Sequence, residues 1–177
     1  VMEVSSHALD LKRVIGMEFD IGVFTNISQD HLDYHKTLEK YVEVKSRLFR
    51  QIKTNGYSIV NIDDKYSSEI IKNSKGQLIT YSIENKSDFK AENIALGPEN
   101  ISFSLDNFSE NISLNMTGEF NVYNSLAALA VGWGLGFELN KIKEGLEKIK
   151  GVAGRFELVK VEQDFTLIVD YAHTPDG

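Results

Sequence analysis

A chain of 177 residues that is 42% hydrophobic and 25% charged has the composition of a globular domain with room for a substantial core. It has no cysteine, which excludes a disulfide framework and a thiolate metal site, and no apolar run approaches the roughly 20 residues needed to cross a bilayer. The net charge of −7 argues against sequence-blind nucleic-acid binding but permits an anionic substrate at a locally positive or metal-filled site. A cytoplasmic monomer with no nucleic-acid or membrane partner is the expectation.

Residues 1–5 read as a short buried strand and residues 21–27 as a second, because Val23, Phe24 and Thr25 favour a pleated surface. Between them, residues 5–14 form a short helix or a loop, and the run from Asp30 to His35 is a polar elbow. Leu38, Tyr41, Val42, Leu48, Phe49 and Ile52 recur at helical spacing and predict an amphipathic helix over 37–53. Thr37 with Lys40 makes no capping box, so the start of that helix is not fixed. A strand over 57–62 closes on the turn signal Asn61-Ile62-Asp63-Asp64, followed by a short helix over 67–73 and a strand over 77–82. Strands alternating with helices imply βαβ units and a mainly parallel sheet.

From 89 to 116 the texture changes to period-two runs separated by Gly97-Pro98-Glu99-Asn100 and Asp106-Asn107, which predicts an antiparallel insertion or edge sheet. Helices return over 122–135 and 139–149, with Gly132, Gly134 and Gly136 closing the first. Residues 156–169 predict two strands around Glu162-Gln163-Asp164. The class is α/β in one domain: a mainly parallel sheet flanked by helices, with a small antiparallel β patch. A strand-like start and polar residues at both edges read as a piece of a longer protein.

Lys45 falls in a core-facing slot of the 37–53 stripe. Either its stem packs and its ammonium snorkels to the surface, or desolvation makes a neutral amine available. A neutral amine can take up CO2 as a carbamate, a carboxylate-like metal ligand; a charged one can face phosphates. Glu3, near the end of an apolar run, is an exposed edge carboxylate or a magnesium ligand at the carboxyl end of a strand. Asp30-His31-Leu32-Asp33-Tyr34-His35 sets two histidines beside two carboxylates, either as a solvated turn or, if helical, with both imidazoles on one face. Without cysteine, magnesium or manganese is favoured over structural zinc.

Asn121 and Asn124 share one side of the first turn of the Ala-rich helix, as caps or as ligand-facing amides. Gly151-Val152-Ala153-Gly154-Arg155 is a simple turn or a loop that delivers an arginine to a phosphate. Asp170, Tyr171 and His173 end a strand, where the ligand residues of open sheets gather.

Taken together, these pieces resemble the Mur ligase family. The matching stretches are Met2-Glu3-Val4-Ser5-Ser6-His7-Ala8-Leu9, Phe24-Thr25-Asn26 through His35, and Lys45 before Leu48-Phe49. Residues 118–124, 151–157 and 170–176 follow in the same order, so the resemblance spans essentially the whole chain. It implies a P-loop-type central domain and an ATP-dependent amide ligase. In that chemistry ATP phosphorylates the carboxylate of a UDP-MurNAc-dipeptide, and the amino group of a third amino acid, meso-diaminopimelate or L-lysine, attacks the acyl phosphate. The resemblance implies Glu3 and His31 as magnesium ligands and Lys45 as a carbamate placing magnesium near the γ-phosphate. It implies Ser5 and Arg13 as contacts to the nucleotide-sugar peptide, and Asn121, Asn124, Arg155, Asp170 and His173 on the ATP side.

Two departures stand out. Leu11 occupies a position where some members place a glutamine that touches substrate. No G-x-x-x-x-G-K-[ST] loop occurs in these residues; the family carries it upstream of Glu3, and its C-terminal domain would begin after about Gly177. The expectation is therefore part of a ligase, inactive alone. Two alternatives stay open: another Mur-type ligase, of folylpolyglutamate or cyanophycin type, and a non-catalytic nucleotide-binding module.

Overall fold

In the computed structural model, residues 1–28, 32–106, 108–159, 165 and 167–172 are described; His31, His173, Asp30 and the 162–164 segment lie outside them. The described chain packs as two compact units, Val1–Asp88 and Phe89–Gly177.

The first unit begins with a correction. Residues 1–5 are not a strand, because a strand exists through its ladder and no described residue pairs with them. They lead into α1 (Ser6–Asp10). There follow β1 (Phe19–Phe24), α2 (Leu32–His35), α3 (Leu38–Ser46), β2 (Ile52–Asn61), α4 (Ser67–Asn73) and β3 (Gln77–Ser82). β1 runs parallel to β2 with Ile21 opposite Tyr57 and Phe24 opposite Val60, and β2 runs parallel to β3 with Tyr57 opposite Gln77. Helices supply the crossovers that parallel pairing requires.

The helix expected over 37–53 is shorter. α3 stops at Ser46, Arg47–Gln51 tighten into a 3-10 turn, and Ile52 already pairs with Phe19 as the first residue of β2. The apolar stripe still reaches the core, with Phe49 and Ile52 both buried, but through a tighter turn and a strand. Phe24, Ile27, Tyr41, Val42, Phe49, Val60 and Ile70 form one buried cluster, and Leu9, Val14 and Val44 form another that joins α1 to α3.

The carboxyl ends of the parallel strands are tied together by side chains. Asn61 Nδ2 donates to the Thr25 carbonyl at 2.8 Å, and the Tyr81 hydroxyl donates to the Phe24 carbonyl at 3.0 Å. The Ile27 amide donates to Asp64 Oδ2 at 2.8 Å, which pins the backbone leaving β1.

The second unit holds the antiparallel patch: β4 (Phe89–Leu96), β5 (Ile101–Leu105) and β6 (Phe108–Leu114) pair in sequence order. Ile101, Phe103, Leu105, Ile112 and Leu114 are buried, as the period-two pattern requires. α5 (Phe120–Gly134) and α6 (Leu139–Glu147) follow, then β7 (Glu157–Val159) and β8 (Leu167–Val169), which pair antiparallel. Glu147 moors α6 to β6 by accepting the Ser113 amide at 3.0 Å. Among the described residues no helix is long and apolar enough to cross a membrane. The α/β class, the flanking helices and the antiparallel patch are those expected from the sequence.

Candidate functional site

The candidate residues divide between the units. In the first, Ser5 makes α1 possible: its backbone is extended and its Oγ accepts the Ala8 amide at 3.2 Å, satisfying an otherwise unpaired helix N-terminal donor. The cap uses the oxygen as acceptor, and the hydroxyl can still donate. Lys12 enters the left-handed region at φ 57, and the Arg13 amide turns back to the Ala8 carbonyl at 2.8 Å. Glu3 and Ser5 are thus exposed just before α1, and Arg13 is exposed just after it.

α3 starts where Thr37 Oγ1 accepts the Lys40 amide at 3.2 Å, a cap without a capping box. Tyr41, Val42 and Val44 are buried, and Lys45, one turn beyond Tyr41, is half-buried. Its Nζ lies 5.5 Å from the centroid of the Tyr41 ring. The stem is inside and the amine rests on an aromatic face, a placement between full burial and free solvation.

The sequence marks His35 in the polar elbow and Tyr41 in the apolar stripe, but not the contacts they make behind that lysine. His35 Nε2 and Ser6 Oγ are 2.9 Å apart in the interior, and the His35 and Tyr41 rings lie 5.2 Å apart with a 32° tilt. His7 adds ring contacts at 4.3 Å to Tyr34 and 5.7 Å to His35. One signal was legible: Tyr41 and Lys45 stand at i and i+4 on one helix face. The Ser6–His35 pair, 29 positions apart, left no such signal.

A polar network borders this cluster. Tyr34 donates its hydroxyl to Asp10 Oδ2 at 3.0 Å, and Arg47 Nη1 donates to Asp10 Oδ1 at 3.1 Å. Arg47 also grips Glu43 with Nε at 3.0 Å and Nη2 at 2.9 Å. The hydrogen bond from Arg47, assisted by Lys40, holds the Glu43 carboxyl down at about 2. The Tyr34 hydrogen bond lowers Asp10, and the same bond raises Tyr34, with the Arg13 charge acting on Tyr34 in the opposite sense.

Among the described residues, no group of three or more His, Cys, Asp or Glu side chains is placed to hold a metal ion. The donor chemistry nonetheless suits magnesium in part. Glu3 offers the carboxylate oxygens that a hard cation takes, whereas a lysine amine is no such donor, so Lys45 fits only as a carbamate. His35 is committed to Ser6.

The second unit draws three separate motifs together. Gly118 turns at φ 91 ahead of α5, a conformation that L side chains resist. Asn121 Nδ2 donates to the Thr117 carbonyl at 2.7 Å, and Asn124 Nδ2 donates to Asn121 Oδ1 at 3.2 Å. The two asparagines therefore form a linked pair, Asn121 half-buried and Asn124 exposed. Phe120 meets Phe156 edge to face, with centroids 5.7 Å apart. The Asp170 carboxylate accepts the amides of Phe156 at 2.6 Å and Ala172 at 2.5 Å. Tyr171, whose amide donates to the Gly154 carbonyl at 3.0 Å, carries the Arg155 guanidinium 5.5 Å over its ring. Asn121, Arg155 and Asp170 are gathered here, together with Tyr171, which the sequence groups with Asp170 at the strand end and which the fold sets beneath Arg155.

Residues 1–132 match the Mur ligase middle domain family. The chain is 48% identical over 183 residues to the UDP-N-acetylmuramoyl-L-alanyl-D-glutamate--2,6-diaminopimelate ligase of Halalkalibacterium halodurans, covering all of this chain and 37% of that protein. The ligase of the same name from Caldanaerobacter subterraneus is 48% identical over 179 residues, with 36% of its length covered. A solved structure of a UDP-N-acetylmuramoyl-L-alanyl-D-glutamate--2,6-diaminopimelate ligase superposes with a TM-score of 0.82 at 34% identity, over 98% of this chain and 37% of that one. MurF from Acinetobacter baumannii superposes with a TM-score of 0.81 at 29% identity, over 89% of this chain and 35% of that one. The chain thus spans little more than a third of the length of the curated relatives it matches.

Proposed function

The chain belongs to the Mur ligase family, and we propose that residues 1–177 are part of the central domain of an ATP-dependent ligase that adds meso-diaminopimelate to UDP-MurNAc-L-Ala-D-Glu in peptidoglycan synthesis. The activity is that of the complete protein, a cytoplasmic monomer, and these residues alone are inactive. The observation that carries the reading is the run Ser6, His35, Tyr41, Lys45, which links the segment bearing Glu3 and Ser5 to the lysine.

Chemically, the γ-phosphoryl group of ATP passes to the dipeptide carboxylate, ADP leaves, and an acyl phosphate results. The amine of the third amino acid then attacks the acyl carbon, expels phosphate, loses a proton and forms the amide. Such chemistry depends on positioning and charge neutralisation more than on covalent help from the protein. Magnesium, when bound, neutralises phosphate charge. Glu3 and His31 would hold it, with Lys45 as a carbamate supplying a further oxygen. Ser5 and Arg13 bind the nucleotide-sugar peptide by a hydroxyl and a guanidinium. Asn121 and Asn124 face the adenine, Arg155 faces phosphate, and Asp170 and His173 complete the ATP side.

The test is a ligation assay with the complete protein, ATP, Mg2+ and UDP-MurNAc-L-Ala-D-Glu, offered either meso-diaminopimelate or L-lysine. A diaminopimelate-containing tripeptide with stoichiometric ADP is expected. Absence of product, or product with L-lysine alone, would overturn the proposal.

A further inference from the structure

Resting on that reading of Lys45, we propose that His35 is a positioning residue: by fixing the Tyr41 ring beneath the Lys45 amine it presents the neutral nitrogen to CO2. An N–C bond forms as a C–O π pair moves to oxygen, and the nitrogen gives a proton to solvent, leaving the carbamate. A lysine has a long flexible stem, and its head is placed only if something along it is rigid. Here the rigid body is Tyr41, 5% exposed and packed in the cluster with Phe24, Val42 and Phe49. Its ring lies under Lys45 Nζ at 5.5 Å. His35 stacks beside it at 5.2 Å.

His35 is in turn held from α1. It is 5% exposed, Ser6 is 1% exposed, and their polar atoms meet at 2.9 Å, so a buried hydroxyl and a buried imidazole satisfy each other. α2 has only four residues and cannot hold itself together as an isolated helix. Its place comes from tertiary contacts: His35 to Ser6 and Tyr41, and Tyr34 to His7 and Asp10. The imidazole therefore ties α1, α2 and α3 at the face where Lys45 emerges. Removing it frees one side of Tyr41 and withdraws one support of the Lys45 amine; His35 itself rests on Ser6 and Tyr41, neither of which is assigned to substrate.

The experiment uses the complete ligase equilibrated with 13C-bicarbonate. The carbamate signal is read by 13C NMR, and kcat, KM and thermal midpoint are read alongside. For His35→Ala, a loss of about 10-fold or more in kcat is expected, in the range seen when groups that orient a ligand are removed. The carbamate signal should fall with it, while KM for the nucleotide-sugar peptide stays near the wild-type value. His35→Gln, which keeps a hydrogen-bonding group toward Ser6, should recover part of both. If His35→Ala does not fold, Ser6→Ala decides, with a smaller loss in the same two readouts. A carbamate signal and kcat equal to wild type in a folded variant would overturn the role of His35 alone. Absence of the signal in the wild-type ligase would overturn the reading of Lys45 and this inference with it.

Discussion

The ring of Tyr171 occupies the space that a side chain at Gly154 would need: a Cβ built there would stand 2.6 Å from Tyr171 Cε2. Gly154 also sits at φ 69, in the left-handed region. Because Tyr171 is 68% exposed, the ring can swing away rather than force the loop apart. Gly154→Ala is therefore expected to keep the fold, at a cost of about 1–2 kcal/mol for the backbone. It should separate Tyr171 from Arg155 and raise KM for ATP in the complete ligase about 2- to 5-fold, the worth of one exposed cation–π contact. Steady-state kinetics with ATP varied checks this; an unchanged KM would separate Tyr171 from nucleotide binding.

Stability should depend on acid through Glu43. Folding lowers its carboxyl from the ordinary 4.5 to about 2, mainly through the hydrogen bond from Arg47. The unfolded chain therefore holds more protons between those values, and the stabilisation is complete above 4.5 and lost as pH falls toward about 2. Asp10, lowered mainly by the Tyr34 hydrogen bond, acts in the same direction. Both groups are partly open to water, so screening keeps the effect modest. Thermal midpoints measured downward from pH 6 should fall less steeply for Glu43→Gln than for the native chain.

Asp64 fixes the backbone beyond β1, accepting the amides of Ile27 and Tyr66, each at 2.8 Å. Asp64→Ala leaves both donors without that partner and should cost about 1–3 kcal/mol. Hydrogen exchange at the Ile27 amide should accelerate well beyond the general loss of stability. Equal acceleration at Ile59, at the centre of β2, would show that only global unfolding had changed.

Much of this architecture was legible because local signals agreed with tertiary ones. The helix predicted over 67–73 and the strand predicted over 77–82 have those bounds in the structure, since α4 and β3 carry their own turn residues and apolar pattern. The helix predicted over 37–53 is shorter in the structure: Leu48, Phe49 and Ile52 keep helical spacing, but Ile52 is claimed by its pairing with Phe19, which no local pattern announces. Residues 1–5 have strand composition without a partner strand among the described residues. For the site, Lys45 was conspicuous as a charge in an apolar stripe, and its half-burial over Tyr41 accounts for that. The Ser6–His35 bond and the Arg155–Tyr171 stack join residues distant in sequence or unremarkable in type, so only the fold brings them out.

That Lys45 supplies a carbamate oxygen to the magnesium–phosphate site is tested by Lys45→Ala in the complete ligase, assayed with and without short carboxylates such as acetate. Ligation is expected to be lost in the variant and partly recovered when the added carboxylate takes the place of the missing carbamate. Full activity in Lys45→Ala would contradict it.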